Sequence, residues 1–399
     1  MPKPMPLTGL KVIDLATLFA GPVIASLMAD FGADVIKVEH PRGDAIRSFG
    51  WQKDGVSLWW ALISRNKRCV TLNVSTADGQ AVLKRLVADA DVLIENFRPG
   101  TMERWGLSFE TLSAINPGLV MVRVTGFGQT GPYKDRPGFG TIAEAMSGFA
   151  HLNGQPGGAP TLPPLALADT VSALFGASAT MFALYHRDAQ GSGRGQQIDL
   201  SIYEPFFSIL GPQALVYDQL GLIQERTGNR SPFSAPRNAY QAKDGTWLAL
   251  SASSQSIAER VVRLVGREDL VAEPWFRDHA GRLAHQDELD ALIGQWIGDR
   301  ETDEVVRIFE QFEAAIAPIY SIADIFRDPQ FEARETITSV DDPRLGPVKI
   351  QNIVPRLSET PGQIRHLGPD LGAHNHAIYV DELGYRDTDL LIWKDNGVI

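Results

Sequence analysis

A single carboxylate, Asp169, stands in the run Pro163-Pro164-Leu165-Ala166-Leu167-Ala168-Asp169-Thr170-Val171-Ser172-Ala173-Leu174-Phe175-Gly176-Ala177-Ser178-Ala179. Its neighbours are apolar or small, and a Gly/Pro-rich loop (NGQPGGAPTLPP) precedes the run. A carboxylate so placed does one of two things. At the start of a helix it caps a free backbone N–H, a position for which aspartate is a favoured type. As a nucleophile it attacks an activated carbonyl and becomes part of a covalent intermediate, which requires room beside it. Ala168, Ser172, Ala173, Gly176 and Ala177 are smaller than a purely structural helix would choose, and predict such room. On composition alone the cap is the simpler reading.

The other chemically promising groups are basic. Arg65-Asn66-Lys67-Arg68 leads into CVTLNV with no acid between Asp54 and Asp78, so this stretch is locally positive and fits a phosphate; a solvated turn is the plain alternative. Glu95-Asn96-Phe97-Arg98-Pro99-Gly100 ends an apolar run at what should be the carboxyl edge of a sheet, where open α/β proteins bind ligands. Arg104 falls near the opening of the next helix, and either joins that anion pocket or is an ordinary surface arginine. His374 and His376 have no thiolate partners at zinc-site spacing, and the lone Cys69 cannot form an internal disulfide. No structural zinc and a reducing compartment are expected.

A parallel sheet has to position these groups. Residues 10–39 read as strand (LKVIDL), turn, short helix from near Pro22, and second strand (ADVIKVE) after Gly32. CVTLNV, a helix from Thr76 to about Ala90, DVLIENF, a helix around Phe109 to Ile115 and VMVRVTGFG extend the alternation. The pattern predicts a Rossmann-like, doubly wound, mostly parallel α/β sheet. After Glu204 come a helical stretch, the loop RTGNRSPFSAPRNAY, a hairpin around Asp244-Gly245, and amphipathic helices near 255–266, 285–297 and 302–314. A chain of 399 residues exceeds one ordinary core. The expected plan is a large α/β domain over 1–205, a linker helix over 206–225, a small α+β domain over 226–330, and a C-terminal segment, 331–399, returning to the large domain.

Several function classes drop out. A formal charge of −11 opposes general binding to nucleic acid. The opening MPKPMPLTGL has no apolar signal core, and no apolar run looks as long as a membrane span, so a cytoplasmic protein is expected. Glu39 at the end of the second strand invites a dinucleotide-binding reading, but Ala16-Thr17-Leu18-Phe19-Ala20-Gly21-Pro22 holds one glycine where that fingerprint needs three. A helix N-terminus beside small residues still accepts an anion or a nucleotide edge.

Taken in order and spacing, these segments resemble the class III CoA-transferases, the formyl-CoA transferase and carnitine CoA-transferase type, from end to end. Further matching segments are Gly126-Phe127-Gly128-Gln129-Thr130-Gly131-Pro132, Gly193-Arg194-Gly195-Gln196, Pro369-Asp370-Leu371-Gly372-Ala373-His374 and Glu382-Leu383-Gly384. The resemblance implies that Asp169 is the nucleophile, forming an aspartyl anhydride and then an aspartyl-CoA thioester. It implies that Ala20, Leu72, Asn73, Asn96, Phe97 and Arg104 line the CoA site; Arg68 and Arg98, from the basic and strand-end segments above, are expected to join them. His40 stands where the family often has a basic residue. No permanent cofactor is implied; CoA and its thioesters are substrates. The family also implies an intertwined homodimer, with CoA on the large domain near the partner's small domain.

Two departures bear on substrate and reaction. The glycine-rich flap of formyl-CoA transferases has no counterpart here, and the comparable loop carries Arg226, Arg230 and Arg237, suited to a second carboxylate or to surface contacts. The α-methylacyl-CoA racemase branch, which moves an α-proton, has a histidine where Phe139 stands. A CoA-binding protein without turnover is the remaining alternative from another class.

Overall fold

In the computed structural model, which describes residues 4–399, six strands form one parallel sheet. In chain order the elements that matter are β1 (Lys11–Asp14), α1 (Ala20–Asp30), β2 (Asp34–Glu39), β3 (Lys67–Thr71), α2 (Ala77–Val87), β4 (Val92–Glu95), α3 (Phe109–Ile115), β5 (Val120–Thr125), α4 (Gly140–Met146), α5 (Leu167–Asp188) and β6 (Gln197–Ser201). Across the sheet the order is β3-β2-β1-β4-β5-β6, the doubly wound arrangement, whose order reverses beside β1.

Alternate side chains of a strand face opposite ways, and here both faces are covered. Val12, Val35, Ile94, Val122 and Val124 enter a core with α1 and α5. Ile13, Ile36, Leu93 and Met121 enter a second core with α2, α3 and the C-terminal residues Tyr379 and Trp393.

The chain divides into two compact units. The larger comprises the residues up to Phe149, Leu162–Pro212 and Glu332–Ile399; the smaller comprises Ala150–Thr161 and Gln213–Phe331. In place of one linker helix over 206–225 stand two helices, Tyr203–Ser208 and Gln213–Leu220, separated at Gly211, whose φ is +73°, and Pro212. In the smaller unit the antiparallel strands Arg237–Gln241, Trp247–Ser251 and Ile316–Pro318 pack Leu248 and Leu250 against Val261, Ile293 and Phe309 of its helices.

Helix α5 corrects two expectations. Its 22 residues are long and apolar enough to cross a membrane by length and composition alone, although no such run was expected. Its small residues are also used differently. Ala168, Ser172, Ala173 and Gly176 are buried, a Cβ on Gly176 would fall 2.4 Å from Cδ1 of Ile24 on α1, and the Ser172 hydroxyl donates to the Ile202 carbonyl at 3.0 Å. They let α5 approach its neighbours, so they are not what leaves space beside Asp169.

Beneath the β1–α1 turn lies a buried charge cluster. The Lys67 ammonium lies 2.9 Å from Asp14 and donates to the Pro22 carbonyl at 2.7 Å. The Lys37 ammonium lies 3.0 Å from Asp44 and 3.9 Å from Asp14, and donates to the Ala16 carbonyl. Burial works against the Lys37 charge, yet Asp14, Asp44 and Glu39 together hold its pKa above the ordinary lysine value. Removing one partner from such a group leaves a desolvated charge behind. Lys67→Met is therefore expected to destabilise the larger unit by about 3–5 kcal/mol, measured by chemical denaturation; a change below about 1 kcal/mol would show that Asp14 finds other compensation.

Candidate active site

The chain leaves β1 and β4 in diverging directions, which opens a crevice at the carboxyl edge of the sheet. Asn96 joins the two exits: its Oδ1 accepts the Thr17 N–H at 2.8 Å and its Nδ2 donates to the Thr17 carbonyl at 2.7 Å. Leu18 follows in the left-handed region at φ +63°, strained for a residue with a side chain. Oδ1 of Asp44 holds it there by accepting its N–H at 3.3 Å. Helix α1 then starts at Ala20 with no side-chain cap.

The crevice contains a cavity of about 980 Å³, lined wholly by residues of the larger unit. Thr17, Leu18, Ala20, Asn96, Phe97 and Arg98 line one side, and Phe19, Phe49, Trp51 and Trp59 form an aromatic wall. Phe19 meets the Phe49 and Trp59 rings edge-on at 5.5 and 5.1 Å. The lining also includes Lys134, Arg136, Phe139, Gly140, Glu144, Pro163 to Ala166, and Asp169. The volume is at the large end for small-molecule sites.

Asp169 is the third residue of α5, whose cap position is Ala166 with no side-chain bond. The capping role that composition favoured is therefore not the one it fills. Its carboxylate lies against the backbone of α4, where a Cβ on Gly140 would come within 2.1 Å of Oδ2. Glu144, one turn further along α4, is buried and its Oε1 accepts the Ala168 N–H at 3.3 Å. Burial, and then the charge of Glu144, push the Asp169 pKa up to about 6, against a small lowering by its own N–H. The helix N-terminus does not keep this group at an ordinary acidity, but at neutral pH it is still mostly ionised.

The expected site residues separate into groups. Asp169, Ala20, Asn96, Phe97 and Arg98 share the cavity. His40 follows β2, and Leu72 and Asn73 follow β3, along the same carboxyl edge but outside the cavity lining. His40 accepts the Arg42 N–H at 3.1 Å, Leu72 is buried, and Asn73 accepts the Ser75 hydroxyl at 2.6 Å. Arg104 is exposed and donates to the Thr101 hydroxyl at 2.8 Å. Arg68 lies near the amino end of β3, away from that edge, ion-paired to Asp34 at 2.5 Å and to Glu382. Arg65 and Asn66 are likewise bonded to Asp30, so this segment holds acids of its own chain where a phosphate was expected. Glu39, the acid that invited a dinucleotide reading, is bonded twice to Arg47 at 2.7 Å. In the smaller unit Arg230 is paired with Asp287 and Asp290, both at 2.7 Å, and Arg226 donates to the His151 carbonyl at 2.8 Å.

Sequence reasoning missed Gly140, Glu144, Lys134, Arg136 and the aromatic wall. A glutamate amid Gly140-Thr141-Ile142-Ala143-Glu144-Ala145-Met146 was a weak signal of a buried acid. Phe139, where the racemase branch has its histidine, lines the cavity with its ring largely exposed, and no histidine lines it.

Two outcomes follow from this geometry. Because the folded-state pKa of Asp169 is raised, its ionisation costs stability as pH rises from the ordinary carboxylate value through about 6. Asp169→Asn should therefore melt higher than the unaltered protein at pH 8, the gap closing as pH falls toward about 4. The atom crowding a new Cβ at 140 is the mobile end of a side chain. Gly140→Ala should thus fold with little change in melting temperature yet lose roughly tenfold or more in any reaction at Asp169.

The sequence profile described as CoA-transferase family III matches residues 7–375. The succinyl-CoA–D-citramalate CoA-transferase of Chloroflexus aurantiacus is 43% identical, covering 99% of this chain and 98% of its own. The succinyl-CoA–L-malate CoA-transferase beta subunit of the same organism is also 43% identical, covering 99% of this chain and 98% of its own. The crystal structure of a CAIB/BAIF family protein from Brucella suis superposes with a TM-score of 0.83 at 33% identity, covering 95% of this chain and 100% of that one. With a Rossmann-like sheet, a crevice at its switch point and a carboxylate inside it, the chain belongs to family III of the CoA-transferases.

Proposed function

We propose that this enzyme moves CoA from an acyl-CoA thioester to a free acid through covalent intermediates on Asp169. The carboxylate attacks the thioester carbonyl; the new C–O bond forms as the C–S bond breaks, giving an acyl-aspartyl anhydride and CoA thiolate. The thiolate attacks the aspartyl carbonyl and expels the donor acid, leaving an aspartyl-CoA thioester. The acceptor carboxylate then attacks the aspartyl carbonyl and expels thiolate, which takes the acceptor acyl group and frees Asp169. No proton is consumed in the cycle, and thiolate leaves readily because thiol pKa values lie near 8.5. The observation that carries this reading is the half-buried Asp169 lining a cavity large enough for pantetheine and an acid.

Ala20, Asn96, Phe97 and Arg98 would hold pantetheine at the mouth of α1, with His40, Leu72, Asn73 and Arg104 further along the sheet edge for the nucleotide end. Water exclusion falls to Phe19, Phe49, Trp51 and Trp59, since an anhydride exposed to water hydrolyses. We take the acids to be short dicarboxylates. The two Chloroflexus relatives are named for succinyl-CoA and for citramalate or malate, and Lys134 and Arg136 bring positive charge to the cavity that receives the acid. A homodimer completes the reading: Leu174, Phe175, Phe182 and Tyr185 of α5 are exposed in the single chain, a patch that a second copy would cover. The lone, buried Cys69 suits a reducing cytoplasm.

Asp169→Ala is expected to lower exchange between succinyl-CoA and labelled dicarboxylic acids by roughly 10³-fold or more. In the unaltered enzyme, hydroxylamine added during turnover should convert Asp169 alone to a hydroxamate, located by mass spectrometry. Full activity in Asp169→Ala, or a hydroxamate at another residue, would remove Asp169 from the mechanism.

A further inference from the structure

Glu144 is a buried carboxylate in the same cavity, 3% exposed, with no ion-pair partner among the described residues. Buried acids normally keep a cation close. Gly140 and Glu144 are four residues apart on α4 and so share one face. That face meets the start of α5 at two points: Gly140 under the Asp169 carboxylate, and Glu144 under the Ala168 N–H.

We infer that Glu144 is a positioning residue acting through Asp169: it caps the uncapped first turn of α5 from the neighbouring helix, and its negative charge bears on the Asp169 carboxylate until acylation removes that charge. The inference rests on the reading of Asp169 as nucleophile. When the Asp169 oxygen bonds to the thioester carbon and the C–S bond breaks, one negative charge leaves Asp169 and appears on the CoA sulfur. The repulsion between two neighbouring carboxylates ends with it, so Glu144 favours the acylated states over the free enzyme and makes Asp169 a more basic nucleophile.

The other charged groups on elements packed against α5 are already engaged. Arg123 on β5 is bonded to Glu95 and Glu103, both at 2.7 Å. Asp199 on β6 accepts the Gln129 N–H at 3.0 Å, and Glu204 in the following helix accepts the Ser201 hydroxyl at 2.5 Å. Asp30 sits at the far end of α1, bonded to Arg65. The cavity cations Arg98, Lys134 and Arg136 are exposed, where water screens them. Glu144 is thus the charge that bears on Asp169 without a counter-ion between them and, after burial, the cause of its raised pKa.

Glu144→Gln tests this, because the amide oxygen can still accept the Ala168 N–H while the charge is gone. The acid limb of kcat/KM, expected near pH 6 in the unaltered enzyme, should move down by about one pH unit. Formation of the Asp169 hydroxamate at pH 8 should slow roughly threefold, with little change in KM for the acyl-CoA. An unmoved limb with the hydroxamate still on Asp169 overturns the role of Glu144 and leaves the nucleophile standing. A hydroxamate elsewhere in the unaltered enzyme overturns both. Should Glu144→Gln fold poorly, single-turnover acylation of the unaltered enzyme across pH decides the matter: an inflection at the ordinary carboxylate value of about 4 overturns the inference.

Discussion

Two lysines and two aspartates, shut off from water, hold the turn that forms one wall of the cavity. Asp14 ends β1, Lys37 belongs to β2 and Lys67 opens β3, so their mutual attraction crosses three adjacent strands. Each lysine spends a further donor on the turn itself, at the carbonyls of Ala16 and Pro22, and Asp44 holds the N–H of Leu18. An apolar cluster of the same size would cost less to bury, but it has no directional donors with which to hold Leu18 in a left-handed conformation. From that turn follow the placement of Thr17 on Asn96, the open first turn of α1 and one wall of the cavity.

The side of the cavity that carries Asp169 is built on the opposite principle. The first turn of α5 has no cap of its own, its carboxylate is partly desolvated, and a second acid stands close by without a cation. Each feature costs stability, and each makes Asp169 readier to give up its charge. The charges beneath the β1–α1 turn stand in ion pairs, whereas the carboxylates proposed to react and to tune that reaction do not. Helix α5 itself is held by close packing on α1, where Gly176 lies against Ile24.

Much of the frame was legible along the chain because it rests on local periodicity. The strands near residues 11, 34, 67, 92 and 120 show as short apolar runs, and the helix Phe109–Ile115 falls where its pattern put it. That Asn96, Phe97 and Arg98 stand at the carboxyl edge of the sheet was readable because they follow a strand of a parallel sheet. Arg68 was misjudged for a physical reason. The acids that neutralise it, Asp34 and Glu382, are distant in sequence, so a patch that looks positive along the chain is neutral in space. The small residues of α5 misled in a similar way, since small size serves close helix packing as well as it serves an open site.

By itself the sequence determined the strand–helix alternation, the short turn after β1, and the presence of one aspartate at the head of a small-residue helix. These are properties of neighbours in the chain, set by side-chain period and local backbone preference. Tertiary structure alone decided what surrounds that aspartate. Gly140 and Glu144 come from a different helix, and the packing of α4 on α5 brings the bare backbone of one and the charge of the other to the same carboxylate. Desolvation and like-charge repulsion depend on distance in space, so the raised pKa of Asp169 could arise only once the chain had folded.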